Sequence, residues 1–136
     1  MKLLMFYAPS FWFKTHEKAL AEAPEADIEQ TVEHAVVVFY QVEAHDVDDQ
    51  TATINKTIKN IKWLSRKFQA GAVVLHSFNH LSASKAPPQA AQALMEAAAQ
   101  RLAAVGLTVQ QTPFGYLNEW RLHAAGPALA KVFKEF

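Results

Sequence analysis

The sequence contains no cysteine, which excludes disulfides, thiolate nucleophiles and cysteine-ligated zinc. It has only four glycines, and none builds a phosphate-cradling loop, a dinucleotide-binding fingerprint or a nucleophile elbow. It has no excess of either charge, because thirteen Lys and Arg balance thirteen Asp and Glu. A dedicated duplex-binding protein is usually strongly basic. Neutrality therefore argues against tight autonomous nucleic-acid binding and leaves room only for a local basic patch. There is no long hydrophobic run either. The opening stretch Leu3-Leu4-Met5-Phe6-Tyr7 is too short to span a membrane and lacks the cleavage site of a signal peptide. A soluble cytoplasmic protein with no membrane partner is the reading that remains. What is present is 136 residues, about half of them hydrophobic, enough for one domain spanning 1–136 with a real core.

Lys2 to Tyr7 reads as a buried strand that Pro9 soon ends. Phe11-Trp12-Phe13 follows, and Lys14 to Gln30 is polar and alanine-rich, with Pro24 as a breaker; this region is short strand, loop or partial helix. His34 to Glu43 is the strongest strand, β-branched and aromatic and buried on both faces for part of its length. The acidic cluster Asp46, Asp48 and Asp49 suits a helix start. From Thr51 to Gln69, Ile54, Ile58, Ile61, Leu64 or Ser65, and Phe68 recur on one helical face, with lysines 56, 59, 62 and 67 mostly opposite. Gly71 is placed to end that helix.

Ala72 to Leu75 is a second buried strand, and Ser77 to Pro88 a loop. Gln89 to Val105 is an alanine-rich helix behind Pro87-Pro88, and Gly106 ends it. Leu107 to Gln111 and Tyr116 to His123 read as strands joined by the tight turn Pro113-Phe114-Gly115, too short for a crossover and so antiparallel. After Gly126-Pro127, Leu129, Val132 and Phe133 predict a short terminal helix. The order is β–irregular–β–α–β–α–β–β–α. The fold class is α/β, a single domain with a mixed sheet covered by helices, its βαβ units right-handed.

The chemistry-bearing residues are few. His76 and His80 are four apart, but one lies at a strand end and the other in a loop, with no Glu between them. The spacing does not make a metal site, and His76 reads as a histidine hydrogen-bonded beside a strand end. His80 sits just past the carboxyl end of a buried strand, where open α/β sheets place ligand-binding groups. Asn79, Ser82 and Ser84 surround it with donors and acceptors. Serines 77, 82 and 84 lie near histidines, but no third partner for a triad can be named. Phe11, Trp12, Phe13 and Trp120 fit a core or an oligomer interface better than a base-stacking platform.

Four features together resemble the N-terminal editing domain of archaeal threonyl-tRNA synthetases. Met1-Lys2-Leu3-Leu4 opens directly into a strand. Phe39-Tyr40-Gln41-Val42-Glu43 is similar to the family's strand ending in Val-Glu. His80-Leu81-Ser82 follows a strand and a short loop, with Pro88 and an alanine-rich helix behind. Pro113-Phe114-Gly115-Tyr116 is followed, after a strand, by Gly126 and then Leu129-Ala130. The resemblance runs over nearly the whole chain, which reads as a free-standing relative of that domain.

The resemblance implies a fold like that of D-aminoacyl-tRNA deacylase, a homodimer, and hydrolysis of the ester joining L-serine to the terminal ribose of threonine tRNA. It implies no cofactor. The partner is the acceptor end of a tRNA carrying an amino acid, supplied by a threonyl-tRNA synthetase acting in trans. Carried over by position, Val42 and Glu43 belong to the substrate-binding side, and Val42 contacts the amino acid. Asn79 and His80 line the pocket, and Tyr116 and Leu117 form another wall. The family commonly has a lysine where this chain has Asn118 and a glutamate where it has Lys131. Both positions enter the expected catalytic set with His80, with Lys131 reaching across the pocket mouth to replace the lost charge. Three other readings stay open: a non-catalytic tRNA or amino-acid binding module, a deacylase for another aminoacyl-tRNA, and a purely structural subunit. With no net charge, affinity for bare tRNA should be weak and salt-sensitive.

Overall fold

A computed structural model describes all residues 1–136. Strand β1 (Lys2–Lys18) is followed by β2 (Glu29–Gln41), a 3-10 turn over Ala44–Val47, helix α1 (Gln50–Phe68), β3 (Ala72–Ser77) and α2 (Pro88–Ala104). Then come β4 (Thr108–Gln111), β5 (Tyr116–His123), a 3-10 turn over Ala128–Ala130 and β6 (Lys131–Glu135). The six strands form one mixed sheet in the order β4-β3-β2-β1-β5, with β6 also paired to β1. β2, β3 and β4 are parallel, and every pairing of β1 is antiparallel.

Pro9 does not end β1. The pairing with β2 runs through Ala8↔Ala35 and resumes at Ser10↔Glu33, leaving Pro9 and His34 out of the ladder. Proline has no N–H to lose there, and His34 takes a left-handed φ of 50°. The two strands bend together at this point, and their far halves curl over the sheet. The undecided stretch after Pro9 is thus the second half of a 17-residue strand as far as Lys18, then a connection over residues 19–28 that is neither helix nor strand, then the start of β2 at Glu29.

Each sheet face has its own core. Leu3, Met5, Val36, Val38, Val73 and Leu75 pack under Ile58, Ile61 and Leu64 of α1 and Leu94, Met95 and Leu102 of α2. Both helices therefore cover the same face. On the other face, Val37, Phe39 and Val74 are sealed by Phe11 and Phe13 from the curled half of β1. The aromatic run at 11–13 supplies core residues, as the sequence predicts for Phe11 and Phe13, both fully buried.

Asp49 caps α1 by accepting the N–H of Ala52 at 3.1 Å. The other end is closed by Gln69, whose φ is 54°, and not by Gly71, which has no positive φ. Gly106, with φ of 94°, does follow α2.

Two further expectations fail. β4 and β5 are not neighbours; they lie at opposite ends of the strand order. Residues 112–115 still connect them, because the curl brings the two edges of the sheet within one short link of each other, roughly 17 Å fully extended. The terminal helix is likewise absent. Val132 and Phe133 alternate in β6, where they pair with Met5 and Leu4, and only Ala128–Ala130 is helical, as one 3-10 turn.

Candidate active site

The curl leaves a cavity of about 460 Å³ at the carboxyl ends of β2 and β3, where an open α/β sheet places ligands. Its floor is formed by Tyr40, Val42 and His76, and one wall by the loop after β3, with Phe78, Asn79 and His80. The opposite wall is Phe114 to Asn118, the link between the two sheet edges and the start of β5. Ala19 and Leu20, just past β1, close the rim.

That rim is pinned at Gly115, whose carbonyl accepts the N–H groups of Ala19 at 2.7 Å and Leu20 at 3.0 Å. Gly115 has φ of 80°, and a Cβ there would come within 3.1 Å of the Cβ of Ala23. Only glycine fits the turn.

The loop carrying His80 is held from below by Gln41, which is fully buried. Its Oε1 accepts the N–H of Leu81 and of Ser82, each at 2.8 Å. Its Nε2 donates to the carbonyls of Ser82 at 2.8 Å and Ser84 at 2.9 Å. One side chain thus satisfies four loop groups and uses its own full capacity. Sequence reasoning missed this residue. The readable signal was an amide closing an apolar strand, since a buried amide must find partners.

Glu43 does not line the cavity, which corrects its assignment to the substrate-binding side. Its carboxylate accepts the Ser82 hydroxyl at 2.7 Å and the Met1 ammonium at 2.6 Å, with the Lys2 ammonium 3.4 Å away. Burial pushes its pKa up, but these hydrogen bonds and charges outweigh burial and leave it at about 2. Asp46 joins the same knot at 2.7 Å from the Met1 nitrogen. Glu43, His45 and Asp46 are near enough to share an ion, but the two carboxylates already hold that ammonium.

Lys131 is also misplaced by the sequence reading. Its Nζ donates to the carbonyls of Ala125 at 2.8 Å and Gly126 at 3.1 Å, and it is not among the cavity residues. It caps a turn and does not cross the mouth. Val42, Asn79, His80, Tyr116, Leu117 and Asn118 do meet around the cavity. The Tyr116 hydroxyl is occupied elsewhere, accepting from the Ala26 N–H and donating to the Pro24 carbonyl, each at 2.8 Å, so the residue serves as wall and tie. Asn118 donates from Nδ2 to the Tyr116 carbonyl at 3.3 Å, and its buried Oδ1 has no partner.

The imidazoles differ. His80 is exposed and lies edge-on to the Phe78 ring at 4.9 Å. His76 is buried, its Nδ1 2.9 Å from the Thr112 hydroxyl, and burial lowers its pKa to about 4. It is neutral at physiological pH, the hydrogen-bonded strand-end histidine that the sequence predicts. Lys85 is the only formally charged residue lining the cavity, and there is no carboxylate. Paired-carboxylate chemistry therefore has no carrier here. The backbone N–H groups of Asn79 and His80 make no internal hydrogen bond, and donors of that kind can stabilise a developing oxyanion.

A family profile described as the archaea-specific editing domain of threonyl-tRNA synthetase matches residues 1–136. The chain belongs to that family. The editing domain is similar to part of the threonine–tRNA ligase of Hyperthermus butylicus, 30% identical over 142 residues, covering 100% of this chain and 23% of that protein. The ligase of Thermofilum pendens is 29% identical over 134 residues, covering 97% and 22%, and that of Methanoregula boonei is 27% identical, covering 98% and 22%. The domain thus spans less than a quarter of the length of these relatives. Among solved structures it resembles the c-Myc DNA unwinding element binding protein, with a TM-score of 0.67 at 10% identity over 100% of this chain and 99% of that one. This likeness concerns the fold alone, the single-domain, D-aminoacyl-tRNA deacylase-like α/β architecture expected from the sequence.

Proposed function

We propose that this editing domain hydrolyses the ester joining L-serine to the terminal ribose of threonine tRNA, with water as nucleophile and no cofactor. The observation that carries this reading is a cavity free of carboxylates and lined by His80 and Tyr116 from the motifs that resemble the family's, with Asn118 beside them. Serine and threonine differ by one methyl, worth about 1–3 kcal/mol in a binding pocket, too little for a synthetase to reject serine by affinity alone. A second, tighter site can exclude threonine by size. In this proposal Val42 and Leu117 bound the amino-acid side chain, and Asn79 and His80 hold the ribose end. The free N–H groups of Asn79 and His80 face the carbonyl oxygen as it becomes anionic. An aminoacyl ester is already activated, so orientation supplies much of the rate.

A threonyl-tRNA synthetase is the partner that produces the mischarged tRNA, in the cytoplasm, and the domain works on it in trans. A homodimer would cover Leu129 and Phe133, which are 47% and 50% exposed beside β1. Matched seryl- and threonyl-tRNA, offered to wild type and His80→Ala, test the reading. Seryl-tRNA should be hydrolysed at least tenfold faster than threonyl-tRNA, and His80→Ala should slow it by about 10²-fold. Equal rates on both substrates would refute it. One observation favours a second reading, a non-catalytic binding module: the family's lysine is Asn118 here, and Lys131 does not replace it. Retained tRNA binding without hydrolysis would select that alternative.

A further inference from the structure

The chain is neutral, but its charge is not evenly spread. Six of its thirteen acids lie between Glu17 and Glu33, around the tip of the β1–β2 hairpin. Helix α1 carries five of the thirteen cations and no acid in 19 residues. Lys56, Lys59, Arg66 and Lys67 are exposed and Lys62 partly so; none of the five is in an ion pair, and only Lys56 is engaged in a cation–π contact, 5.8 Å from the centre of the Phe136 ring. The helix dipole accounts for Arg66 and Lys67 in the last turn, but not for the other three. Positions 56, 59, 63 and 66 follow one face and run about 15 Å along the axis. Trp63, 43% exposed, sits in the middle of this stripe.

Elsewhere cations are dispersed or engaged. Lys2 and Lys18 are in ion pairs, Arg121 lies over the Trp12 ring, and Lys131 caps carbonyls. The cavity itself offers a tRNA only Lys85. We propose that the exposed face of α1 is the phosphate-binding surface of the domain, docking the sugar-phosphate backbone of the tRNA whose charged end enters the cavity, with Trp63 packing against ribose or base. This rests on the reading of the cavity as a tRNA-ester site. A neutral protein needs such a concentrated surface, because phosphate contacts dominate affinity and RNA presents a continuous line of them.

The test is Lys59→Gln/Lys62→Gln/Arg66→Gln, which removes charge but keeps good helix formers and touches no cavity residue. Binding of uncharged tRNA at low salt should weaken at least tenfold, and the slope of log affinity against log salt should flatten by about two. The KM for seryl-tRNA should rise with kcat unchanged, and hydrolysis of serine esterified to adenosine alone should not change. Lys14→Gln/Lys134→Gln, the control for charge lost elsewhere, should leave tRNA affinity as in wild type. Wild-type tRNA binding by the triple variant overturns the proposal, as does an equal loss in the control. A triple variant that instead loses salt-sensitive self-association assigns α1 to the acidic hairpin of a second copy, which also overturns it. The tRNA-binding measurement needs no catalysis, so a domain that binds through α1 but hydrolyses nothing would refute only the function proposed for the cavity.

Discussion

The framework beneath the cavity and the groups that face into it are built on opposite terms. Under the His80 loop the supporting side chains are committed: Gln41 makes four hydrogen bonds, and Glu43 ties Ser82 to the Met1 ammonium. Across the gap, Asn118 keeps a buried Oδ1 without a partner, while on the loop itself the His80 ring lies edge-on to Phe78 and makes no hydrogen bond. A saturated framework is rigid, and groups left uncommitted are those a ligand can use. The difference separates residues that position from residues that can bind, although both kinds are polar and close together in sequence.

The strongest way to break this contrast is Gln41→Leu. It leaves two N–H groups and two carbonyls of the loop without partners, which should cost about 4 kcal/mol in urea unfolding and abolish hydrolysis. A loss below about 1 kcal/mol would mean that the loop does not depend on the amide. His80→Ala should do the reverse, lowering the rate while leaving the melting temperature within about 2 °C.

Acid sharpens the contrast from the framework side. The folded pKa of His76 is depressed to about 4, so the unfolded chain binds a proton near pH 6.5 while the folded one does not. Stability is therefore full above about pH 6.5 and falls between there and about pH 4, by on the order of 3 kcal/mol. Glu43, depressed to about 2, contributes stability that is present above about pH 4.5 and lost as pH falls toward 2, a further decline in the same direction. His76→Gln should remove the upper part of the decline and keep the lower part. An unchanged profile would show that the imidazole is not the group responsible. The smallest effect belongs to Lys131→Ala. It should change kcat/KM by less than twofold and stability by about 0.5 kcal/mol, because only a turn cap is lost; a tenfold fall in kcat/KM would restore Lys131 to the site.

Local signals were legible. The apolar spacing of α1, the buried run 72–75 and the small-residue helix α2 depend on neighbours in sequence, and each formed close to its predicted bounds. The position of His80 at the cavity was legible from its place after β3, a rule of topology. What depended on the curl was hidden. Pro9 reads as a strand end unless His34 opposite it also leaves the ladder, and a four-residue link reads as a hairpin unless the two sheet edges approach each other. Position along a motif also says nothing of side-chain direction. Val42 faces the cavity, whereas Glu43, one residue on, turns to the chain start. Lys131 fails for the same reason, its strand carrying it away from the mouth.

The link through Gly115 has a bearing on how such a site can be retuned. Its hold on Ala19 and Leu20 runs entirely through main-chain atoms, so the sizes of Leu20 and Leu117 are independent of the bonds that keep the rim in place. Trimming either residue enlarges the chamber without removing any of the hydrogen bonds that pin the rim.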